Sequence, residues 1–227
     1  MTIEARAASC MPDACFCEAI RSDGIMQPAN TWSSLAFVVI AIVVIVRWSK
    51  ARHIASQPAY PILLALTLLV VGLGSAFFHA TLSFRGQFID VLGMYLIATF
   101  ALLYGIDRLA GLGNTRLIGA YLATNTILAA ILYWVPLLRR VIFGILIVAV
   151  ISVEAALARR GQLQSVTKLK IAIVLLGIGF AVWVFDYTRI LCRPESWIQG
   201  HALWHVLGAL AAWYLYLYYR DQATDAT

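Results

Sequence analysis

Residues 60–80 read YPILLALTLLVVGLGSAFFHA, and the part from Tyr60 to Phe78 holds no charged side chain. A helix needs about 20 apolar residues to cross the hydrocarbon core of a bilayer. A strand of a membrane barrel would alternate apolar and polar residues with a period of two, and this stretch does not. It therefore predicts a transmembrane helix whose last turns carry two polar residues, Ser75 and His79.

The rest of the chain has the same character. Of its 227 residues 62% are hydrophobic and 12% are charged, and the mean hydropathy is +0.85. A soluble domain has about 45–50% apolar and about 25% charged residues. The sequence therefore predicts an all-α membrane protein, with a polar N-terminal segment (1–30), a bundle of seven transmembrane helices (31–220) and a short C-terminal tail (221–227). The predicted spans are Trp32–Val46, Tyr60–Phe78, Phe88–Tyr104, Leu117–Trp134, Val141–Leu157, Ile171–Tyr187 and Ala202–Tyr218.

The Lys and Arg residues of the connections indicate an orientation, because cytoplasmic loops carry the excess of positive charge. Ten lie on the C-terminal side of the membrane and seven on the N-terminal side. This bias predicts the N-terminus outside and the C-terminus in the cytoplasm of a multi-pass protein, in a bacterial inner membrane or an endomembrane. The net charge of +6 is accounted for by these loops and their contact with anionic lipid, so no nucleic-acid partner is expected.

Ionisable residues within spans are costly and mark functional sites. Ser75 and His79 stand four residues apart at the end of span two, and Asp90 lies one turn into span three. His201 and His205, in the segment HALWH, are also four apart, at the start of span seven. Each pair shares one helical face. Since consecutive spans run in opposite directions, these residues are predicted to meet at one depth, in the half of the bilayer nearest the N-terminus.

Three neutral imidazoles supply the protein ligands of a catalytic zinc site and leave a fourth position for water. Asp90 would hydrogen-bond that water or take its proton, and Ser75 would donate to an oxyanion. The alternative is that His201 and His205 are polar anchors at the membrane interface, because HxxxH lacks the Glu of the HExxH motif. His53, the fourth histidine, lies in a basic loop on the opposite side and is interpreted as solvated.

A different class of function is a transporter or channel whose histidines line a proton path. Transporters often contain internal repeats and broken helices near the middle of the membrane, and the sequence shows neither. The remaining polar and aromatic residues have structural interpretations. Asp186 is interpreted as an interfacial pair with Arg189, with contact to the histidine site from span six as the alternative. Glu154 is expected to pair with Arg159 and Arg160 or to extend to the cytoplasmic side. Asn125 is expected to bridge helices, and Trp204, Trp213 and Tyr214 through Tyr219 are interpreted as interfacial aromatics.

Cys10, Cys15 and Cys17 precede the first span, and Cys192 lies between spans six and seven. Both regions face the same side of the membrane. If that side is oxidising, a bridge from the N-terminal segment to Cys192 can form. Four unpaired thiols are the alternative at this point.

Several motifs together resemble the alkaline ceramidases. These are GSAFFHATL (74–82), an Asp eleven residues after His79, HALWH (201–205), and CFCE (15–18) followed by QPANTWSS (27–34). The alkaline ceramidases are membrane amidases of a superfamily that also includes the progestin and adiponectin receptors and Per1-type lipid hydrolases. The resemblance covers most of the chain.

The resemblance implies zinc on His79, His201 and His205, with Asp90 orienting and deprotonating the attacking water and Ser75 assisting the tetrahedral intermediate. The implied reaction is hydrolysis of ceramide, or a related N-acyl lipid, to a free fatty acid and a sphingoid base. It also implies a disulfide between Cys17 and Cys192, which leaves Cys10 and Cys15 as a second pair.

The resemblance supports a calcium site only in part. Ceramidases with a calcium site use an Asp-Trp before the Cys-Glu and a second Glu before the Asn-Thr, whereas this chain has Cys15-Phe16 and Gln27. Glu18 and Asn30 remain as candidate ligands, with Asp13 and Asp23 nearby. Calcium takes about 6–8 oxygen ligands.

Two further functions stay open within the same superfamily. One is a receptor-like or haemolysin-like protein with the same zinc site but slight turnover. The other is a hydrolase of lipid esters, such as an enzyme that remodels GPI lipids.

Overall fold

A computed structural model describes residues 7–11, 15–51, 59–163 and 165–224. Each of the seven predicted spans lies within one long helix. The helices are α1 (Pro28–Ala51), α2 (Ala59–Thr81), α3 (Phe84–Ala110), α4 (Asn114–Trp134), α5 (Arg139–Arg159), α6 (Thr167–Tyr187) and α7 (Gly200–Thr224). Asp13 and His53 lie outside the described residues.

The all-helical class is confirmed, because the only strand-like pairing in the described ranges is one isolated bridge between Ala7 and Ser83. Six helices, α1 to α6, are long and apolar enough to cross a membrane, which indicates a multi-pass membrane protein. α7 is absent from this group because its histidines, tyrosines and tryptophans lower its hydropathy. It also continues through residues 221–224, which the sequence assigned to the tail, and Asp221 pairs with Lys168 of α6 there.

The centre of the bundle is formed by α1, α2, α3 and α7. α6 packs on α7, and α4 and α5 pack on α3. α5 and α6 make at most marginal contact with each other in the described part of the chain, so the bundle has a seam between them.

An aromatic core fills the end of the bundle away from Ser75 and His79. Tyr60 of α2 stacks on Tyr104 of α3 with ring centroids 4.8 Å apart, and Tyr219 of α7 meets Tyr104 edge-on at 4.8 Å. The prediction of interfacial aromatics was therefore wrong for Tyr216, Tyr218 and Tyr219, which are buried in this core. The sequence could not separate the two environments, since tyrosine suits an interface and a core with hydrogen-bond partners equally well.

Two polar contacts join helices within the bundle. Asn125 of α4 donates to the Thr99 hydroxyl of α3 at 2.8 Å, which confirms the predicted bridge. Glu154 of α5 pairs with Arg108 of α3 at 3.1 Å and accepts from the Tyr218 hydroxyl at 2.6 Å. The prediction that Glu154 pairs with Arg159 and Arg160 was therefore wrong, because its side chain points inward to α3 and α7.

Candidate metal centre

Residues 15–27, named here the N-terminal cap, cover the end of α2. The backbone N–H groups of Met26 and Gln27 donate to the carbonyls of Ala80 and His79 at 3.1 and 3.0 Å. The last carbonyls of a helix have no partner within it, so these bonds complete the C-terminal end of α2. The connection after α6 holds the other end of the cap through a disulfide.

Both disulfides implied by the resemblance are present. Cys17 is joined to Cys192 and Cys10 to Cys15. The first links the N-terminal cap to the connection between α6 and α7, immediately before the helix that carries HALWH. The described part of the chain contains no free cysteine.

The three histidines of the sequence motifs converge under the cap. His79, His201 and His205 are 0%, 5% and 3% exposed, and one nitrogen of each lies within 4.8 Å of the others. The Nε2 atoms of His79 and His201 are 3.1 Å apart. The sequence reasoning thus placed these residues together correctly, because His79 ends α2 where α7 begins.

Hydrogen bonds fix the tautomer of His205. Its Nδ1 lies 2.9 Å from the Ser33 hydroxyl and 3.2 Å from the Ser34 hydroxyl. Both hydroxyls donate their single hydrogen to the Asn30 carbonyl, at 3.0 and 2.7 Å. Each serine can therefore only accept from the imidazole, so Nδ1 carries the hydrogen and Nε2 keeps its lone pair.

Ser75 and Asp90 lie beside the histidines. The Ser75 hydroxyl is 3.2 Å from Nε2 of His205, and the Asp90 carboxyl lies near that hydroxyl. The backbones of α2 and α3 approach closely here, since a Cβ on Gly74 would stand 2.7 Å from Cγ2 of Ile89. Asp90 is not a member of the group whose ligand atoms cluster, so it lies beside the three imidazoles and not among them.

Asp186 of α6 contacts the site, which was the alternative to its predicted pair with Arg189. Its carboxylate accepts the backbone N–H of Cys17 at 2.9 Å and that of His201 at 3.0 Å. The predicted pair with Arg189 was wrong, because the Arg189 guanidinium donates to the Phe16 carbonyl instead. Asp186 thus holds together the cap, α6 and the first turn of α7. The positive N-terminal end of the α7 helix dipole also stabilises a carboxylate at this position.

Phe16 was not singled out in the sequence, yet its ring covers the histidines from the cap. It stacks on His201 with a centroid separation of 3.7 Å and an interplanar angle of 16°, and it lies 5.4 Å from the ring of His79. The one sequence feature that could have indicated this position is that Phe16 lies between Cys15 and Cys17, whose disulfides hold the cap in place.

The three histidines fit a metal ion. Zinc–nitrogen bonds of about 2.0–2.1 Å at tetrahedral angles place ligand nitrogens roughly 3.3 Å apart, close to the 3.1 Å between His79 and His201. Because Nδ1 of His79 and Nδ1 of His205 face hydrogen-bond partners, the Nε2 atoms of these two rings are left to bind a cation. Nδ1 of His201 has no hydrogen-bond partner among the described residues. A buried group that can hold a metal is therefore present.

The calcium candidates fit less well. Both carboxylate oxygens of Glu18 accept backbone N–H groups, from Ala29 at 2.7 Å and Asn30 at 2.9 Å, at the start of α1. Burial raises the pKa of the Glu18 carboxyl, while these two bonds act in the opposite direction. The amide of Asn30 is buried without a partner in the described ranges. Among the described residues, Glu18 and Asn30 together offer fewer side-chain oxygens than the six to eight that calcium takes.

Comparison with known proteins places the chain in a family. The model of the ceramidase family matches residues 13–224. The alkaline ceramidase of Drosophila melanogaster is 27% identical over 217 residues, which cover 92% of this chain and 75% of the relative. The alkaline ceramidase of Caenorhabditis elegans is 26% identical over 208 residues, 85% and 73% of the two chains. The putative alkaline ceramidase dcd3B of Dictyostelium discoideum is 28% identical over 171 residues, 66% of this chain and 59% of the relative. These matches confirm the resemblance drawn from the motifs, and the chain belongs to the ceramidase family, whose members hydrolyse the amide bond of ceramide.

Proposed function

We propose that this protein is a zinc-dependent hydrolase that cleaves ceramide, or a related N-acyl lipid, to a free fatty acid and a sphingoid base. The observation that carries the proposal is the convergence of three buried histidines beside Ser75 and Asp90 in a chain of the ceramidase family. The fly and nematode relatives carry the name alkaline ceramidase.

Zinc suits this donor set, because catalytic zinc sites have three protein ligands and an open fourth position. His79, His201 and His205 would hold it. When bound, zinc polarises a carbonyl oxygen and makes water more acidic. The three histidines are buried, so they would hold the ion away from bulk solvent.

Asp90 is the base in this proposal. It takes a proton from the water whose oxygen attacks the amide carbon, and it returns that proton to the nitrogen as the carbon–nitrogen bond breaks. The products are the fatty acid and the free amine of the sphingoid base. Asp90 suits this role because it lies near the histidines without being one of the clustered ligands.

Ser75 complements Asp90. Its hydroxyl lies 3.2 Å from Nε2 of His205 and near the Asp90 carboxylate, so its single hydrogen would go to one of these two groups. If His205 holds the metal through Nε2, the Ser75 hydroxyl would be free to donate to Asp90 or to the oxyanion of the tetrahedral intermediate.

We further propose that α7 is a seventh span, with the N-terminus outside. Its 25 residues extend about 37 Å, and it packs between α1 and α6. Both disulfides lie at the end of the bundle that carries the histidines. Disulfides persist on the oxidising side of a membrane, and this supports placing that end outside the cytoplasm.

The lipid is proposed to reach the site through the seam between α5 and α6, because a ceramide does not leave the bilayer. At the outer end of the seam, the Arg140 guanidinium of α5 lies 4.3 Å from the ring centroid of Tyr187 of α6 and donates to its hydroxyl at 3.0 Å. The amide of a lipid that enters below this contact approaches the histidines from within the membrane.

The test is fatty-acid release by the purified protein from a panel of ceramides, lipid esters and N-acyl amino lipids. The proposal expects ceramide or another N-acyl lipid to be cleaved, with activity lost on chelation and restored by zinc. Cleavage of esters alone would favour the ester-hydrolase alternative. No hydrolysis by zinc-loaded protein would contradict the proposal and favour a receptor-like protein.

A further inference from the structure

His79 must present one particular nitrogen to a metal. Its Nε2 faces His201, whereas its Nδ1 faces Gln27. A neutral imidazole has one N–H and one lone pair, so only the tautomer with hydrogen on Nδ1 leaves Nε2 able to bind. Something in the structure has to select that tautomer.

Gln27, the last residue before α1, is the only hydrogen-bond partner of Nδ1 of His79 in the described part of the chain. Its Oε1 lies 2.8 Å from that nitrogen. On the other side of the amide, Nε2 of Gln27 donates to the Glu18 carbonyl at 3.2 Å. Gln27 and His79 are both 0% exposed, so no bulk water competes for these bonds.

The Glu18 carbonyl fixes which way the amide points. If the amide were turned over, its oxygen would face the carbonyl oxygen of Glu18, placing two acceptors together, and its NH₂ would face His79. In the observed direction the NH₂ faces the carbonyl and the oxygen faces Nδ1. A glutamine oxygen only accepts, so Nδ1 of His79 has to be the donor.

The backbone holds Gln27 as firmly as the side chain does. Its N–H donates to the carbonyl of His79 at 3.0 Å, and its carbonyl accepts from the backbone N–H of Thr31 at 2.9 Å. The same two residues, Gln27 and His79, are thus joined through both backbone and side chain. A ring held in this way has little freedom to rotate.

We propose that Gln27 is a positioning residue of the metal centre: it selects the Nδ1–H tautomer of His79 and fixes the ring so that Nε2 points at the ion. The inference rests on the proposed metal dependence. Partners of this kind orient metal-binding histidines, and their removal typically costs about 10–100-fold in metal affinity.

The test compares zinc affinity, measured by competition with a chromophoric chelator, in the wild type and four variants. Gln27→Met keeps the volume and removes the acceptor. Gln27→Glu keeps an oxygen on Nδ1 and, when protonated, a donor to the Glu18 carbonyl. Gln27→Ala leaves space for a water that can accept from Nδ1. Thr31→Val is the matched control, because it removes a buried bond to the Gln27 carbonyl without touching the His79 side chain.

The expected order of zinc affinity is wild type and Gln27→Glu highest, Gln27→Ala lower and Gln27→Met lowest, about 10–100-fold below the wild type. Thr31→Val should bind within about threefold of the wild type, and the unfolding temperature of its metal-free form should match that of Gln27→Met. Equal affinity of Gln27→Met and wild type, or an equal loss in Thr31→Val, would overturn the inference. If the wild type itself binds no zinc, the proposed function fails instead.

Discussion

Replacement of Asp90 is predicted to remove turnover but not the metal, whereas replacement of a histidine is predicted to remove both. Asp90→Asn keeps the size of the side chain and removes the base, so turnover should fall by about 10²–10⁴-fold. Zinc content should stay near that of the wild type, because Asp90 is not among the clustered ligands. Metal analysis beside the fatty-acid assay separates the roles, with His79→Ala expected to lose both metal and activity. Loss of zinc in Asp90→Asn would mean that Asp90 is a ligand.

Ser75→Ala tests the second residue beside the ligands. The hydroxyl lies 3.2 Å from Nε2 of His205 and near Asp90, so its removal should slow turnover by about 10–10³-fold, the range for one donor to an oxyanion. Ser152→Ala is a suitable control, since that hydroxyl bonds only to the Val148 carbonyl of its own helix. A Ser75→Ala enzyme with normal turnover and weakened zinc would assign Ser75 to the support of His205 instead.

At the scale of the elements, Asp186 is predicted to secure the start of α7. Asp186→Asn leaves one acceptor oxygen for two backbone N–H groups, so one of the bonds to Cys17 and His201 is lost inside the protein. We expect a free energy of unfolding lower by about 1–3 kcal/mol, seen as a lower unfolding temperature in detergent. Asp23→Asn, at an exposed position of the cap, should leave that temperature unchanged, and an equal shift in both variants would contradict this role.

The sequence predicted the elements and the histidine group because both depend on simple geometry. Apolar runs determine where helices lie, and the alternating direction of the helices determines which of their ends meet. His79, Asp90 and His201 could thus be placed together without any knowledge of packing. Gln27 could not, because its role depends on the path of the N-terminal cap, and a connection has no periodicity from which that path can be inferred. For Asp186 the sequence left two interpretations open, since it does not show which way one side chain at the end of a helix points.

The tyrosines of α7 show the same limit within a helix. Tyr218 and Tyr219 are buried, whereas Trp213 lies partly exposed, with the guanidinium of Arg47 5.3 Å from its ring centroid. Hydropathy values do not distinguish the buried aromatic residues of α7 from the partly exposed one. Only the neighbouring helices, which bring Tyr60 and Tyr104 against α7, separate core from interface.

At the scale of the whole molecule, the two disulfides are predicted to contribute unequally to the stability of the fold. Cys17–Cys192 closes a loop of 175 residues in sequence, and Cys10–Cys15 a loop of five. A longer loop restricts the unfolded chain more, and only the first bridge ties the cap to α7. Replacing both members of the Cys17–Cys192 pair by serine should therefore lower the unfolding temperature more than the same change in the Cys10–Cys15 pair. The reverse order in a thermal scan would contradict this.

The orientation of the molecule can be tested with two single cysteines on opposite ends of the bundle. Glu195→Cys lies in the exposed connection before α7, and Gln162→Cys in the exposed connection between α5 and α6. With the N-terminus outside, a membrane-impermeant maleimide added to intact cells should label the first and reach the second only after permeabilisation. The disulfided parent, which has no free cysteine among its described residues, is the control for background. Labelling of Gln162→Cys alone in intact cells would invert the topology and place the histidines in the cytoplasmic half of the bilayer.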